Sequence, residues 1–258
     1  MFKFIDVKDK IALITGATSG IGEATAKLFA NHGIHLILCG RREERLEKLK
    51  QELSSKVKVH TLKFDIRNKE HVFEAIKSIP SAFKKIDILI NNAGNAHGLS
   101  PIDKGEISDW EAMIDINVKG LLYVSKAIVP TMVGQKSGHI INIGSTAGKE
   151  VYPNGNVYCA SKHAVDAINQ GMRIDLHAHG IRVGAINPGL VETEFSQVRF
   201  KGDTEKADAV YKGFSPLKPE DIADIIYFTV SRPAHVNIVD LIVMPSDQAT
   251  STIVNKNN

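Results

Sequence analysis

The stretch NVYCASKHAV carries Tyr158 and Lys162 four residues apart, which puts both on one face of a helix. A phenol beside an ammonium suits proton exchange with a substrate oxygen. A free phenol has a pKa near 10, too high for a base at neutral pH. Moving it down by about 3 units needs roughly 4 kcal/mol of preferential stabilisation of the phenolate. A neighbouring cation is one source of it. Ser145, in INIGSTAG, follows an apolar run and falls just past a strand end, where open α/β sheets bind ligands. Its hydroxyl can hydrogen-bond the same substrate oxygen and hold it against the phenol. Many helices contain Tyr-x-x-x-Lys by chance, so the assignment depends on the surrounding sequence.

A second chemistry is legible near the N-terminus. TGATSGIG directly follows an apolar run, with Gly16, Gly20 and Gly22 where strand becomes helix. Glycine there permits unusual backbone angles and the close approach of a phosphate. Thr18, Ser19 and Ile21 share this turn, and the helix start offers free amides and a positive dipole end to a pyrophosphate. A tight connection alone would also use glycines, but strand before and helix after favour a dinucleotide. The next apolar run ends in LCGRREER, with Arg41 and Arg42 where an NAD enzyme usually carries an acid for the ribose 2′-hydroxyl. An acid repels a 2′-phosphate, whereas arginine can fork onto it. Two cations set against a helix N-terminus point to a bound anion, and NADP is expected over NAD. FDIRN puts Asp65 and Ile66 near the sheet edge, with Asp65 either meeting the adenine or serving as a turn acid.

These groups need a frame. Apolar runs at 10–15, 35–40, 58–64, 86–92, 138–144, 181–188 and 237–244 alternate with segments of helical spacing such as GEATAKLFANH. Repeated strand–helix alternation predicts an α/β fold, a doubly wound parallel sheet with helices on both faces. Nearly continuous apolar strands fit burial on both faces. No Pro/Gly/Ser-rich linker, repeat or low-complexity tract divides the 258 residues, so one domain over 1–258 is expected. The longest segment outside the alternation, about 190–216, is an insertion between the sixth strand and the last helix.

Bulk properties exclude several functions. With 32 basic and 29 acidic residues the net charge is +3, too balanced to argue for nucleic acid or an anionic membrane. No apolar run approaches the roughly 18 residues that span a bilayer. The opening MFKFIDVKDK lacks a long apolar core and a small-residue cleavage site, so no signal peptide is expected. Two cysteines, Cys39 and Cys159, make no disulfide framework, and a reducing cytoplasm is expected. His177 and His179, two apart, point to different helix faces with no third ligand pattern, so no metal is expected. The charged run 41–52 reads as a solvent-facing helix side.

TGxxxGxG, NNAG at 91–94, a strand-end Ser145 and Tyr158-x-x-x-Lys162, in this order, resemble the short-chain dehydrogenase/reductase family over essentially the whole chain. The resemblance implies a Rossmann-like fold with a seven-stranded parallel sheet. It implies a catalytic tetrad of Asn117 (in DINVKG), Ser145, Tyr158 and Lys162. In it Lys162 also grips the nicotinamide ribose and Asn117 holds a relay water. The same resemblance brings Asn92, Ala93 and Gly94, with Tyr158 and Lys162, to the cofactor. Pro188, Gly189, Val191 and Thr193, in NPGLVET, join them, Thr193 meeting the nicotinamide carboxamide or capping a helix. PGLVETEFSQVRFKGD, STAG…GNVY and PAHVNIVDLIVMPSDQA are similar to the NADP-dependent serine/3-hydroxy acid dehydrogenase branch. That branch implies homotetramers acting on serine, L-allo-threonine, 3-hydroxyisobutyrate, 3-hydroxypropionate or their semialdehydes.

A small hydroxy acid needs a cation for its carboxylate. In the inserted lid Arg199 is the first candidate, because its planar fork matches a carboxylate, and Lys201 the second. Ion pairs with Glu194, Asp203 or Glu205 on the outside of the lid are the competing reading for both. Asn154, with Gly155 and Asn156, is expected to line the same pocket as Ser145 and Tyr158. Two alternatives stand beside this function: a reductase of 3-oxoacyl thioesters or other ketones, and a non-catalytic NADP-sensing regulator. Retention of both Tyr158 and Lys162 disfavours the regulator.

Overall fold

The apolar runs form strands because helices cover them on both sides. A computed structural model describes residues 5–256; residues 1–4 and 257–258, which belong to the expected 1–258 domain and include the start of MFKFIDVKDK, lie outside the described residues. The strands are β1 (Ile11–Thr15), β2 (His35–Gly40), β3 (Val59–Lys63), β4 (Ile88–Asn91), β5 (Gly138–Ile143), β6 (Ile181–Pro188) and β7 (Asp240–Val243). They form one sheet in the order β3-β2-β1-β4-β5-β6-β7, all neighbours parallel. Strand order reverses between β1 and β4, which creates a crevice at their carboxyl ends.

Side chains alternate across the sheet with the period of two that a strand imposes. Ala12, Ile14, Leu36, Leu38, Ile88, Ile90 and Ile141 face one layer. There they meet Phe29 of α1 (Gly20–Asn31), Leu46, Leu49 and Leu53 of α2 (Glu43–Leu53), and Ile222 and Ile226 of the last helix (Pro219–Val230). Leu13, Ile37, Leu89, Ile140 and Val183 face the other layer. Its covers are Val72 of α3 (Lys69–Lys77), Val124, Ile128 and Met132 of α5 (Leu121–Gln135), and Leu176 of α6 (Asn156–Leu176). Each fully buried Leu or Ile contributes roughly 1.5–3 kcal/mol from water exclusion.

Two local features position the site. Between α4 (Ile107–Ile114) and α5 the helix widens to π geometry over Asp115–Gly120, turning Asn117 into the interior. Between β6 and the last helix, α9, the chain leaves the layers as the expected lid and forms two short helices, α7 (Phe195–Arg199) and α8 (Thr204–Ala209). The lid's return is marked by Pro219 at the first position of α9 and by the Lys218 amide donating to the Asp221 carboxylate at 2.7 Å.

The strand read at 237–244 is shorter than expected. Residues 237–239 approach β6 through the Asn237 amide on the Val183 carbonyl and the Ala185 amide on the Val239 carbonyl. They pass so near that a Cβ on Gly184 would stand 2.1 Å from the Ile238 oxygen. That backbone crossing replaces ladder pairing until Asp240. Among the described residues no helix is long and apolar enough to cross a membrane.

His139, on β5, is 3% exposed, and neither ring nitrogen has a hydrogen-bond partner. Burial, aided by the like charges of Arg182 and Lys10, pushes its pKa down to about 3 from 6.5. The folded protein therefore holds it neutral, while the unfolded chain takes up a proton below about pH 6.5. Its contribution is complete above that pH and declines as pH falls toward 3, at about 1.4 kcal/mol per unit. His139→Phe should flatten the acid limb of stability between pH 6.5 and 4 in urea melts. An unchanged limb would assign acid sensitivity elsewhere.

Candidate active site

The crevice is held shut at its base by side chains of the two strands that flank it. The Thr15 hydroxyl accepts from the Asn92 and Ala93 amides, both at 3.0 Å, and donates to the Ile90 carbonyl. The Asn92 side chain returns bonds to the Thr15 and Gly16 carbonyls at 2.9 and 3.2 Å. Gly16 then turns with φ +66°, and a Cβ there would lie 3.0 Å from Ala93 Cα. The turn thus lies too near the end of β4 for any side chain. Gly20, φ +53°, opens α1 against the Thr193 methyl. Gly22 packs beneath this turn rather than lining the cleft. A Cβ there would stand 2.4 Å from the Gly16 carbonyl, so this glycine lets the helix pack onto its own turn.

The cleft above this base has a volume of ≈ 650 Å³. Gly16, Thr18, Ser19, Gly20 and Ile21 line it from the turn, and Arg41 and Arg42 from the end of β2. Asp65 and Ile66 follow β3, and Asn92, Ala93 and Gly94 follow β4. Ser145, Tyr158 and Lys162 form its far part, and Pro188, Gly189, Val191 and Thr193 its lid side. The shape suits a dinucleotide: glycines where a phosphate must come close, and no acid between Cys39 and Arg42 at the end of β2. Asp65 is both a cleft residue and a turn acid. Its carboxylate accepts from the Arg67 guanidinium at 2.6 Å and the Arg67 amide at 3.0 Å, with Arg41 3.8 Å away. Thr193 lines the cleft as well, and its hydroxyl accepts from the Phe195 amide at 3.1 Å at the start of α7.

Arg42 is already engaged. Its guanidinium donates to the Thr18 hydroxyl at 3.1 Å, the Ser19 hydroxyl at 2.8 Å and Glu194 at 2.9 Å. Arg45 reaches the other oxygen of the same carboxylate at 2.7 Å. Sequence reading had set Arg45 within the solvent face and Glu194 beside Arg199. The partners are 149 and 152 residues apart, so only the acid itself in the lid could have hinted at them.

At the far end Ser145 caps a short 3₁₀ turn, Thr146–Gly148, accepting from the Ala147 amide at 3.1 Å. Tyr158 and Lys162 occupy successive turns of α6 and are 7% exposed. Burial pushes the Tyr158 phenol up, and Tyr152 adds to it; the Ser145 hydrogen bond and the Arg199 charge act in the opposite direction. Lys162 donates to the Ile143 carbonyl at 3.0 Å, and burial pushes it down to about 8. In the chain by itself burial therefore dominates both groups, and the lysine is a weaker cation than its type suggests. Asn117 forms the wall behind them rather than lining the cleft. It accepts from the Asn95 amide at 2.9 Å and donates to the Asn95 carbonyl at 2.8 Å and the Ser161 hydroxyl at 3.0 Å. Gly94 makes room: a Cβ there would be 3.1 Å from Asn117 Oδ1 and 3.5 Å from Lys162 Nζ.

The lid separates its two cations. Arg199, the last residue of α7, faces inward, donating to the Tyr152 hydroxyl at 2.6 Å and the Gly98 carbonyl at 3.4 Å. Its guanidinium carbon lies 5.3 Å from the Tyr158 ring centre. Lys201 faces away and pairs with Asp109 at 2.9 Å. Neither uses Glu194, Asp203 or Glu205, the expected outside partners; Asp203 instead caps α8 and pairs with Lys206. Asn154 does not line the large cleft. At φ +65° it turns the chain so that Tyr152 and Pro153 face the cleft. Asn154, Gly155 and Asn156 line a separate small pocket of ≈ 20 Å³ on the far side of Arg199 and Tyr158. Tyr152 was not anticipated, and no motif marks it.

Comparison with known proteins agrees with this geometry. Residues 10–204 match the short chain dehydrogenase family. The chain is 48% identical over 240 residues to a Salmonella typhi NADP-dependent 3-hydroxy acid dehydrogenase, covering 93% of this chain and 96% of that one. It is 47% identical over 242 residues to sulfoacetaldehyde reductase 2 of Chromohalobacter salexigens, again covering 93% and 96%. The closed form of a serine dehydrogenase complexed with NADP+ superposes with a TM-score of 0.90 at 45% identity, covering 96% of this chain and 100% of that one.

Buried Lys162 gives a direct test. In the protein without dinucleotide its ammonium should lose a proton near pH 8 rather than 10.5. Side-chain ¹³C NMR of labelled lysine, assigned with Lys162→Arg, reads this. Titration near 10.5 would show that burial does not control the group.

Proposed function

The chain belongs to the short-chain dehydrogenase family, and from that premise we propose that it is an NADP-dependent oxidoreductase of small 3-hydroxy acids. Serine, allo-threonine, 3-hydroxyisobutyrate, 3-hydroxypropionate and their semialdehydes are the substrate class. The observation that carries this reading is Arg199, a cation in the cleft beside Tyr158 and Tyr152. A short hydroxy acid puts its carboxylate on that guanidinium with its hydroxyl at Ser145 and Tyr158. Charge-assisted hydrogen bonds of this kind contribute roughly 1.5–3 kcal/mol.

In this reading Tyr158 takes the hydroxyl proton during oxidation and returns it during reduction. Ser145 holds the oxygen, and its hydrogen bond lowers the cost of the phenolate. Lys162, held by the Ile143 carbonyl, would grip the nicotinamide ribose, and Asn117, which fixes the Asn95 loop, would hold the relay water. Bound NADP supplies the hydride acceptor and, when oxidised, a positive charge that opposes the burial penalty on Tyr158. Arg41 and Arg42 are the residues for its 2′-phosphate, and the glycine turn for its pyrophosphate. A cytoplasmic homotetramer belongs to the same reading.

A second headgroup has one observation behind it. The relative from Chromohalobacter is a sulfoacetaldehyde reductase, and a sulfonate can accept from the same guanidinium. The cationic end of the cleft favours either short anion over a 3-oxoacyl thioester, whose acyl chain would leave Arg199 without a counter-charge.

A panel of serine, allo-threonine, 3-hydroxyisobutyrate, isethionate, an uncharged secondary alcohol and a 3-oxoacyl thioester, with NADP and then NAD, tests this. Arg199→Ala should raise KM for the anionic substrates about 10- to 100-fold and leave the uncharged alcohol nearly unchanged. Equal losses on both would remove the clamp. Tyr158→Phe should lower kcat by about 10²- to 10⁴-fold while NADP affinity is kept; near-normal turnover would overturn its role.

A further inference from the structure

The cation pair at the mouth of the cleft already holds an anion. One carboxylate, Glu194, accepts from Arg42 at 2.9 Å and from Arg45 at 2.7 Å. Arg42 spends its remaining donors on the Thr18 and Ser19 hydroxyls, at the turn that opens α1. All four partners are therefore gathered where β2 ends and the glycine turn begins, and the acid comes from the lid. Partial burial works against ionisation of Glu194, yet the hydrogen bonds and charges of Arg42 and Arg45 hold its carboxyl below the usual range. An ionised carboxylate thus stands at the position an incoming phosphate monoester would use.

We propose that Glu194 is an internal competitor for the 2′-phosphate subsite, displaced by NADP but not by NAD, and so a residue that limits how strongly this cleft prefers NADP. The proposal rests on the NADP reading above. Arg42 and Arg45 cannot give the same donors to a carboxylate and a phosphate. A dianionic phosphate wins because it brings more charge and more acceptor oxygens. A ribose 2′-hydroxyl carries no charge and leaves Glu194 in place. For NAD the lid acid remains paired across the cleft mouth; for NADP it is released. Selectivity is a difference of affinities, so an occupant that only NADP must displace narrows the NADP preference that the arginines create.

The competitor should lower affinity only for the ligand that must displace it. Calorimetry with 2′,5′-ADP and 5′-AMP on the full chain isolates this, because neither probe carries nicotinamide. Glu194→Gln should bind 2′,5′-ADP about three- to ten-fold more tightly, the range of two partly exposed ion pairs, and bind 5′-AMP as the parent does. Glu192→Gln removes the same charge two residues away, from a glutamate paired with Lys218, and should change neither. Unchanged or weaker 2′,5′-ADP binding by Glu194→Gln would overturn the proposal, the weaker case making Glu194 a strap over bound ligand. Equal tightening by Glu192→Gln would reduce the effect to bulk charge and overturn it also. The parent chain separates the two levels. If it does not prefer 2′,5′-ADP to 5′-AMP, the NADP reading fails; if it does and Glu194→Gln is unchanged, only the competition fails.

Discussion

The constraint on which the rest depends is the closeness of β1 and β4 where their order reverses. Parallel strands that diverge to opposite neighbours leave polar backbone ends facing a gap. Here one threonine hydroxyl and one asparagine amide satisfy those ends. That pairing brings Gly16 against Ala93 and excludes any side chain from the turn. It also brings the turn that begins α1 and the loop that leads to Asn95 to the same height. Asn117 reaches the latter from the π-widened helix and bonds both its amide and its carbonyl. The floor of the cleft is thus a set of backbone groups whose partners are all supplied locally, and the reactive side chains project above it.

Burial then acts twice on those side chains. It makes the Tyr158 phenol a poorer acid and the Lys162 ammonium a better one. Both shifts have the same origin, the removal of water from a charged form. A site built this way keeps the phenol protonated and leaves the ammonium only modestly favoured at neutral pH until charge arrives from a ligand. Lys162 directs its proton to the Ile143 carbonyl rather than to Tyr158, so the pair is coupled through a shared environment more than through direct contact. Arg199 lies 5.3 Å from the centre of the phenol ring, and its charge acts on Tyr158 in the direction a base requires.

Most of the frame was legible because its causes are local. Apolar runs covered on both faces announce parallel strands, and glycine at a strand–helix junction announces close approach. What escaped depended on contacts distant in sequence or on a single backbone angle. Gly22 looks like its two neighbours, yet it faces the Gly16 carbonyl and not the cleft. Asn154 was grouped with the pocket by nearness to Tyr158, and a left-handed turn moved it aside while bringing in Tyr152. The β7 segment has a strand's composition over 237–239, but a backbone crossing at Gly184 stops the ladder there. Arg45 looked like one more charge on an exposed helix because its partner lies 149 residues away.

The lid gathers these distant effects into one short element. Glu194 precedes α7 and Arg199 ends it, so an acid bound to the cationic mouth and a base bound to the tyrosine end are joined by five residues of helix. At about 1.5 Å rise per residue such a helix is only about 8 Å long. Beyond Arg199 the chain is anchored by the Gly98 amide on the Arg199 carbonyl at 2.9 Å and by Lys201 on Asp109. Both ends of α7 are therefore held, the Arg199 end by backbone and side chain, and the Glu194 end by its carboxylate together with the Glu192 amide on the Leu217 carbonyl and the Tyr211 hydroxyl on the Val191 carbonyl. The contacts that hold the Glu194 carboxylate and those that hold Arg199 share no partner. The cation beside Tyr158 is thus positioned independently of the ion pairs at the mouth.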